Sequence, residues 1–195
     1  MAAPAPSGSR THLAEIRFTP GQVRVITAAL ALFAEHGVAG TSLQMIADRM
    51  GVTKAAVYHK FKTKEEIVVA TADHEMVALE AAVEQAEAAP DRAQARRVLL
   101  GHLIDFSVRN RALVRAWQGD PAMVRVLAKH DPFRNLTGRI YTLLVDEGNG
   151  SDRRVPAAML SIAITAVGQP GLAGIDDETL RAQVYRYACR LIDLD

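Results

Sequence analysis

Between Met50 and Lys54 the chain reads Gly-Val-Thr, and a short helical pattern of apolar residues lies on each side of it. Leu43, Ile46, Ala47 and Met50 share one face of a helix capped by Ser42 and ended by Gly51. Only Val52 separates that glycine from Thr53, the cap of the next helix, whose inward positions are Val57 and Phe61. Upstream, "TPGQVRVITAALALFAEHG" has Thr19 as N-cap, Pro20 at the first helical position and Gly37 as its stop. Its Ile26, Ala29, Leu30 and Phe33 follow the i, i+3, i+4, i+7 spacing of one buried face. Helices this short are marginal alone and gain their stability from packing. Three of them around one core, with a tight glycine turn between the second and third, form a helix-turn-helix.

The third helix, "GVTKAAVYHKF", contains no carboxylate. With Val57 and Phe61 turned inward, Ala55, Ala56 and His59 point the opposite way, flanked by Lys54, Tyr58 and Lys60. Small residues let a backbone approach a surface closely, and lysine, tyrosine and histidine donate to phosphate oxygens. The net charge of +1 hides an asymmetry. Residues 1–64 hold eight basic and three acidic residues, a balance of +5, and residues 65–195 carry −4. A basic head on an acidic body predicts that only the head meets a polyanion.

Hydrophobic residues make up 49%, charged residues 23% and aromatics 5% of the 195 residues. With helical spacing recurring throughout, this predicts an all-α protein. The single cysteine, Cys189, excludes an intrachain disulfide and a cysteine metal cluster. "MAAPAPSGSR" has no apolar run, so no signal peptide is expected, and no segment reads as the ~20 apolar residues that span a bilayer. The expectation is a soluble, cytoplasmic protein without membrane, metal or cofactor.

Residues 1–17 read as a mobile tail, solvated or lending Arg10 and Arg17 to a minor groove. Residues 18–64 form the helix-turn-helix unit, and residues 65–195 form a helical body. In the body, helices are predicted from Lys64 to about Ala88, after Asp91, after Asp120 and from Asp131 to Gly148. A loop is expected around Asn149–Arg154. "PAAMLSIAITAVG" is apolar on nearly every side and is expected to be buried all round. The last helix spaces Leu180, Val184, Tyr187, Leu191 and Leu194 as a seam for another helix. No catalytic constellation stands out: His102 with Asp105, and His130 with Asp131, read as surface or structural residues.

"TSLQMIADRMGVTKAAVYHKFKTKEEIV" resembles the DNA-binding signature of the TetR family of transcriptional repressors. The match runs from about Thr19 to Val68 and includes Gly37, Thr41-Ser42, Ile46-Ala47, Gly51-Val52, Tyr58, Phe61 and Lys64-Glu65-Glu66. Where the family often has threonine, Ala56 removes one polar contact. The resemblance implies that Ser42 and Thr53 present helix N-termini to phosphates, and that Gln44 approaches a base edge or phosphate. It implies that Lys54, Ala55 and Ala56 enter the major groove, that Tyr58, His59 and Lys60 hold the backbone, and that Lys64 takes another phosphate. Lys62 is left as a solvated residue. The resemblance further implies a homodimer in which the last two long helices pair with their copies, reading a palindromic double-stranded DNA operator. It also implies a small-molecule inducer, largely apolar, inside the body.

Candidate pocket residues are Phe106, Trp117, Met123, Phe133, Ile140, Tyr141, Leu144, Met159 and Ile162, with Arg109, Arg115 and Arg139 available to an anionic group. The helix from Lys64 to about Ala88, roughly 37 Å long at 1.5 Å per residue, would be a lever, with His74, Met76 and Val77 midway. The implied function is a ligand-released repressor. The alternatives are a helical ligand carrier or small enzyme that keeps the head as scaffold, and a non-specific architectural DNA-binding protein.

Overall fold

The computed structural model describes residues 13–111, 113–115, 121–145 and 151–194. The fold is all-α, with no strand among the described residues. Helix α1 spans Pro20–Gly40, α2 Leu43–Met50, α3 Lys54–Lys60, α4 Lys64–Ala88, α5 Arg92–Arg109, α6 Pro121–Leu127, α7 Asp131–Leu144, α8 Ser151–Thr165 and α9 Asp177–Leu191.

The local signals act as the sequence predicts. Thr19 and Gln22 form a capping box at the start of α1. Ser42, Thr53, Asp91 and Asp176 each accept a backbone N–H from the first turn of α2, α3, α5 and α9. Gly37 interrupts α1 at φ 71°, and Gly51 ends α2 at φ 66°, a left-handed conformation that glycine adopts without steric cost.

Two buried clusters result. The head cluster gathers Ile26, Ala29 and Phe33 of α1, Ile46 and Ala47 of α2, and Val57 and Phe61 around α3. Each large side chain buried here contributes about 1.5–3 kcal/mol. This cluster does not stop at residue 64: Ile67, Val68, Ala70 and Ala72 of α4 belong to it, and so do Met123 and Leu127 of α6. The body cluster joins α4, α5, α7, α8 and α9.

Several expectations change. Leu13 is buried in the body cluster, and residues 13–15 form a 3-10 turn against α4, so the tail is anchored before residue 17. Arg10 lies outside the described residues. Helix α7 ends at Leu144, short of Gly148. Helix α8 begins at Ser151, inside the expected loop, and carries Pro156 within it. A proline there gives up one backbone hydrogen bond, yet its fixed φ suits a helix. Nor is α8 buried all round: Val155, Met159 and Ile162 are exposed on one face, with Ile162 at 68%. Helix α1 is long and apolar enough, by length and composition alone, to cross a membrane. It instead packs its apolar face into the head cluster.

Candidate nucleic-acid interface and ligand cavity

The head presents one surface built from α2, α3 and the residues before α4. Ser42, Gln44, Thr53, Lys54, Ala55, Ala56, Tyr58, His59 and Lys60 are all exposed, while Val57 beneath them is fully buried. Thr53 accepts from the Ala56 amide at 3.2 Å, which fixes the entry of α3. Lys60 lays its side chain along Gly21, where the missing Cβ leaves room: a Cβ there would sit 3.0 Å from Lys60 Cε.

Two carboxylates of the head, Glu35 and Asp48, are engaged. Glu35 accepts both guanidinium N–H groups of Arg49, at 2.9 and 2.6 Å. That hydrogen bonding holds the Glu35 carboxyl below its ordinary pKa. Asp48 accepts from Gln44 Nε2 at 2.7 Å. Gln44 therefore has one amide hydrogen committed to its own helix and one still available.

Lys62 and Lys64 have different settings. Lys64 Nζ donates to the carbonyl oxygens of Val38 and Thr41 at 2.9 and 3.2 Å, with Ala39 at 3.4 Å. These carbonyls lie at the C-terminal end of α1, where a cation is favoured and the last acceptors lack helical partners. The ammonium expected on a phosphate is thus engaged inside the head. Lys62 Nζ instead stands 4.9 Å from the centroid of the exposed Tyr58 ring, a cation–π contact that orients it on the α3 surface. The sequence reads Lys62 as solvated, and it is exposed; the contact with Tyr58 is what that reading does not contain. The signal available was its four-residue spacing from Tyr58.

The body contains a cavity of about 420 Å³. Helix α4 contributes Met76 and Leu79, α5 Leu103, Phe106 and Ser107, and α6 Val124 and Leu127, with Ala128 just beyond it. Helix α7 contributes Phe133, Thr137, Ile140 and Tyr141, and α8 Leu160, Ser161, Ile164 and Thr165. Of the residues read from sequence, Phe106, Phe133, Ile140 and Tyr141 line it. Met123 is buried in the head cluster, Leu144 in the body core, and Met159 and Ile162 lie on the outer surface. Trp117 is outside the described residues. Met76 lines the cavity, but Val77 and His74 are exposed. Arg109 and Arg115 are exposed. Arg139 is turned to α4, donating to both oxygens of Glu87 at 2.9 and 2.8 Å, with Glu80 at 3.5 Å.

Cavity and head share an element. Leu127 of α6 lines the cavity and belongs to the head cluster, and Met123, one turn earlier, is buried in the head. Just beyond α6, His130 Nε2 lies 2.6 Å from Asp73 Oδ1 of α4. Asp73 is buried, which pushes its carboxyl pKa up, and the His130 bond partly offsets this.

Of the seam residues, Leu180, Val184 and Leu194 are buried within the chain, while Tyr187 and Leu191 are exposed. Arg186 and Arg190 lie over the Tyr187 ring, at 5.1 and 6.0 Å. Tyr187 and Leu191 lie on α9, which packs on α8, the helix whose Val155, Met159 and Ile162 are exposed.

Residues 25–71 match the bacterial regulatory proteins, tetR family. A segment of 51 residues is 37% identical to the uncharacterized HTH-type transcriptional regulator YerO of Bacillus subtilis (strain 168). It covers 26% of this chain and only 18% of that protein. The fold is similar to that of the fatty acid degradation regulator FadR from Bacillus halodurans, with a TM-score of 0.66 and 16% identity over 91% of this chain and 97% of that one. It is also similar to NalD, the secondary repressor of the MexAB-OprM multidrug efflux pump in Pseudomonas aeruginosa, with a TM-score of 0.64 and 18% identity over 88% and 95%. The caps of α2 and α3, the buried Val57 and the exposed basic third helix all lie within residues 25–71, the segment that the family match covers. The N-terminal head of this chain is thus similar to the bacterial regulatory proteins of the tetR family over residues 25–71.

Proposed function

We propose that the protein is a ligand-responsive transcriptional repressor that binds a palindromic DNA operator as a homodimer and releases it when a small molecule enters the body cavity. The observation that carries this reading is the sharing of α6 between cavity and head: Leu127 faces the one and packs in the other. A ligand against Val124, Leu127 and Ala128 acts on a helix whose Met123 is embedded in the head core. Packed cores are not continuously deformable, so a shift of α6 moves the head as a unit. Coupling is reciprocal: whatever factor the ligand takes from DNA affinity, DNA takes from ligand affinity.

The DNA face consists of Ser42, Gln44, Thr53, Lys54, Ala55, Ala56, Tyr58, His59 and Lys60. Lys62 joins it, and Lys64 holds the end of α1 in place. Ala55 and Ala56 give α3 close approach to the major groove and an apolar contact for a thymine methyl. The dimer face centres on Met159 and Ile162 of α8 with Tyr187 and Leu191 of α9. Exposed apolar side chains on two adjacent helices mark a surface for another protein surface, and a two-fold operator requires two heads about one DNA turn apart. Relatives named as regulators of fatty acid degradation and of multidrug efflux are consistent with an apolar effector. Selecting genomic fragments that the purified protein retains tests the reading. A recurrent two-fold sequence supports it, and retention without sequence preference contradicts it.

A further inference from the structure

We infer that the effector is uncharged in the part that enters the cavity, a mainly apolar molecule carrying a hydrogen-bond donor such as a hydroxyl or amide N–H. The inference deepens the reading of the cavity as the ligand site and rests on it. Among the described residues, no lysine, arginine, histidine, aspartate or glutamate lines the cavity. The arrangement of α7 explains this. Phe133, Thr137, Ile140 and Tyr141 face inward, whereas Arg139 is drawn to the opposite side by Glu80 and Glu87 of α4. Of the three arginines that the sequence makes available to an anionic group, Arg139 is already paired, and Arg109 and Arg115 do not line the cavity.

An ion entering such a cavity would lose its hydration without gaining a counter-charge, which disfavours it strongly. The polar groups present are hydroxyls, and two of them have spent their protons. Thr137 donates to the Phe133 carbonyl at 2.8 Å, and Thr165 donates to the Ser161 carbonyl at 2.6 Å. A hydroxyl whose proton is committed still has a lone pair to offer. Towards the cavity Thr137 and Thr165 therefore act as acceptors, and the group they complement is a neutral donor. The cavity's volume of about 420 Å³ lies within the usual range for small-molecule sites.

Three rigid probes of matched shape test this: biphenyl-4-methanol, biphenyl-4-carboxylate and biphenyl-4-methylammonium, titrated calorimetrically into the full chain at pH 7. The alcohol is expected to bind at least tenfold more tightly than either ion. Thr137→Lys, which places a cation at the half-buried α7 position, should shift preference towards the carboxylate by at least tenfold. A carboxylate or ammonium that binds wild type as tightly as the alcohol overturns the inference while leaving the ligand-site reading intact. An unchanged probe order in a folded Thr137→Lys protein also overturns it, because binding would then lie elsewhere. Failure of all three probes to bind would contradict the ligand-site reading itself.

Discussion

In the body, Arg96 is buried and donates to the carbonyls of Leu144 and Ile192 at 2.8 and 2.9 Å, tying α5 to the ends of α7 and α9. Arg97 reaches the Leu194 carbonyl, Arg139 pairs with Glu80 and Glu87, Arg111 with Asp177 and Arg181 with Asp105. In the head, Lys54, His59, Lys60 and Lys62 are exposed, and no hydrogen bond or ion pair of their side chains is seen among the described residues, although the Lys62 backbone N–H donates to Glu66. The exceptions sharpen the contrast. Arg49 and Lys64 also belong to the head, but one holds Glu35 and the other the end of α1. The same residue types thus do two kinds of work. Where a cation is matched internally it fixes helix ends and crossings. Where cations gather without side-chain partners, with Glu35 and Asp48 already engaged, the missing counter-charge is external.

The largest expected effect breaks the body's side of that contrast. Arg96→Met should destabilise the fold by about 3 kcal/mol, because two helix-end carbonyls lose a charged donor. Urea unfolding measures this, and a loss under about 0.5 kcal/mol would mean that Arg96 is not a structural tie.

Next comes the body's exposed apolar face. Ile162→Glu should convert the proposed dimer into a folded monomer, halving the mass in light scattering, because Ile162 is 68% exposed in one chain. A folded dimer of wild-type mass would put the seam elsewhere.

Lys62 and Lys64 are a smaller and more discriminating pair. Lys64→Met should lower stability by about 1 kcal/mol and leave the salt dependence of DNA binding unchanged. Lys62→Ala should leave stability nearly unchanged and reduce the slope of log K against log salt by about 0.9 for each head engaged. The reverse pattern would exchange the two roles.

Asp73→Asn should have the smallest effect. Burial, the larger influence, raises the Asp73 carboxyl pKa, and the His130 hydrogen bond lowers it only in part. An acid raised in the folded state stabilises fully below its ordinary pKa, and that contribution fades as pH rises through the raised value. Asparagine keeps an Oδ1 that can accept from His130. Stability at pH 7 should stay within about 1 kcal/mol of wild type while the decline with rising pH in the weakly acidic range flattens. A retained decline would assign it to another group.

The head was legible because its signals are local. Thr19, Ser42, Thr53, Gly37 and Gly51 act within a turn of themselves, and Val57 and Phe61 had only one core to enter. Lys64 was not legible, since its partners are decided by where α1 ends in space, 23 to 26 residues upstream. Pro156 suggested a helix start, but the helix begins five residues earlier. The apolar circumference of α8 could not reveal whether its own chain covers Met159 and Ile162. Tyr187 and Leu191 fall in the same heptad pattern as Leu180 and Val184, yet only the latter pair packs inward. In the cavity, aromatic and aliphatic lining was readable as a class, but Arg139 was not. Its sequence neighbours point inward, and Glu80 and Glu87 lie on another helix.

The division of labour between matched and unmatched cations is tested most directly by salt-dependent binding to a random-sequence DNA duplex. Wild type is compared with two triple variants: Lys54, Lys60 and Lys62 replaced by alanine in the head, and the ion-paired Arg111, Arg134 and Arg181 replaced by alanine in the body. The head variant should lose about 2.7 units of slope for each head engaged, and the body variant should match wild type. Equal losses from the two variants, or a larger loss from the body, would contradict the account.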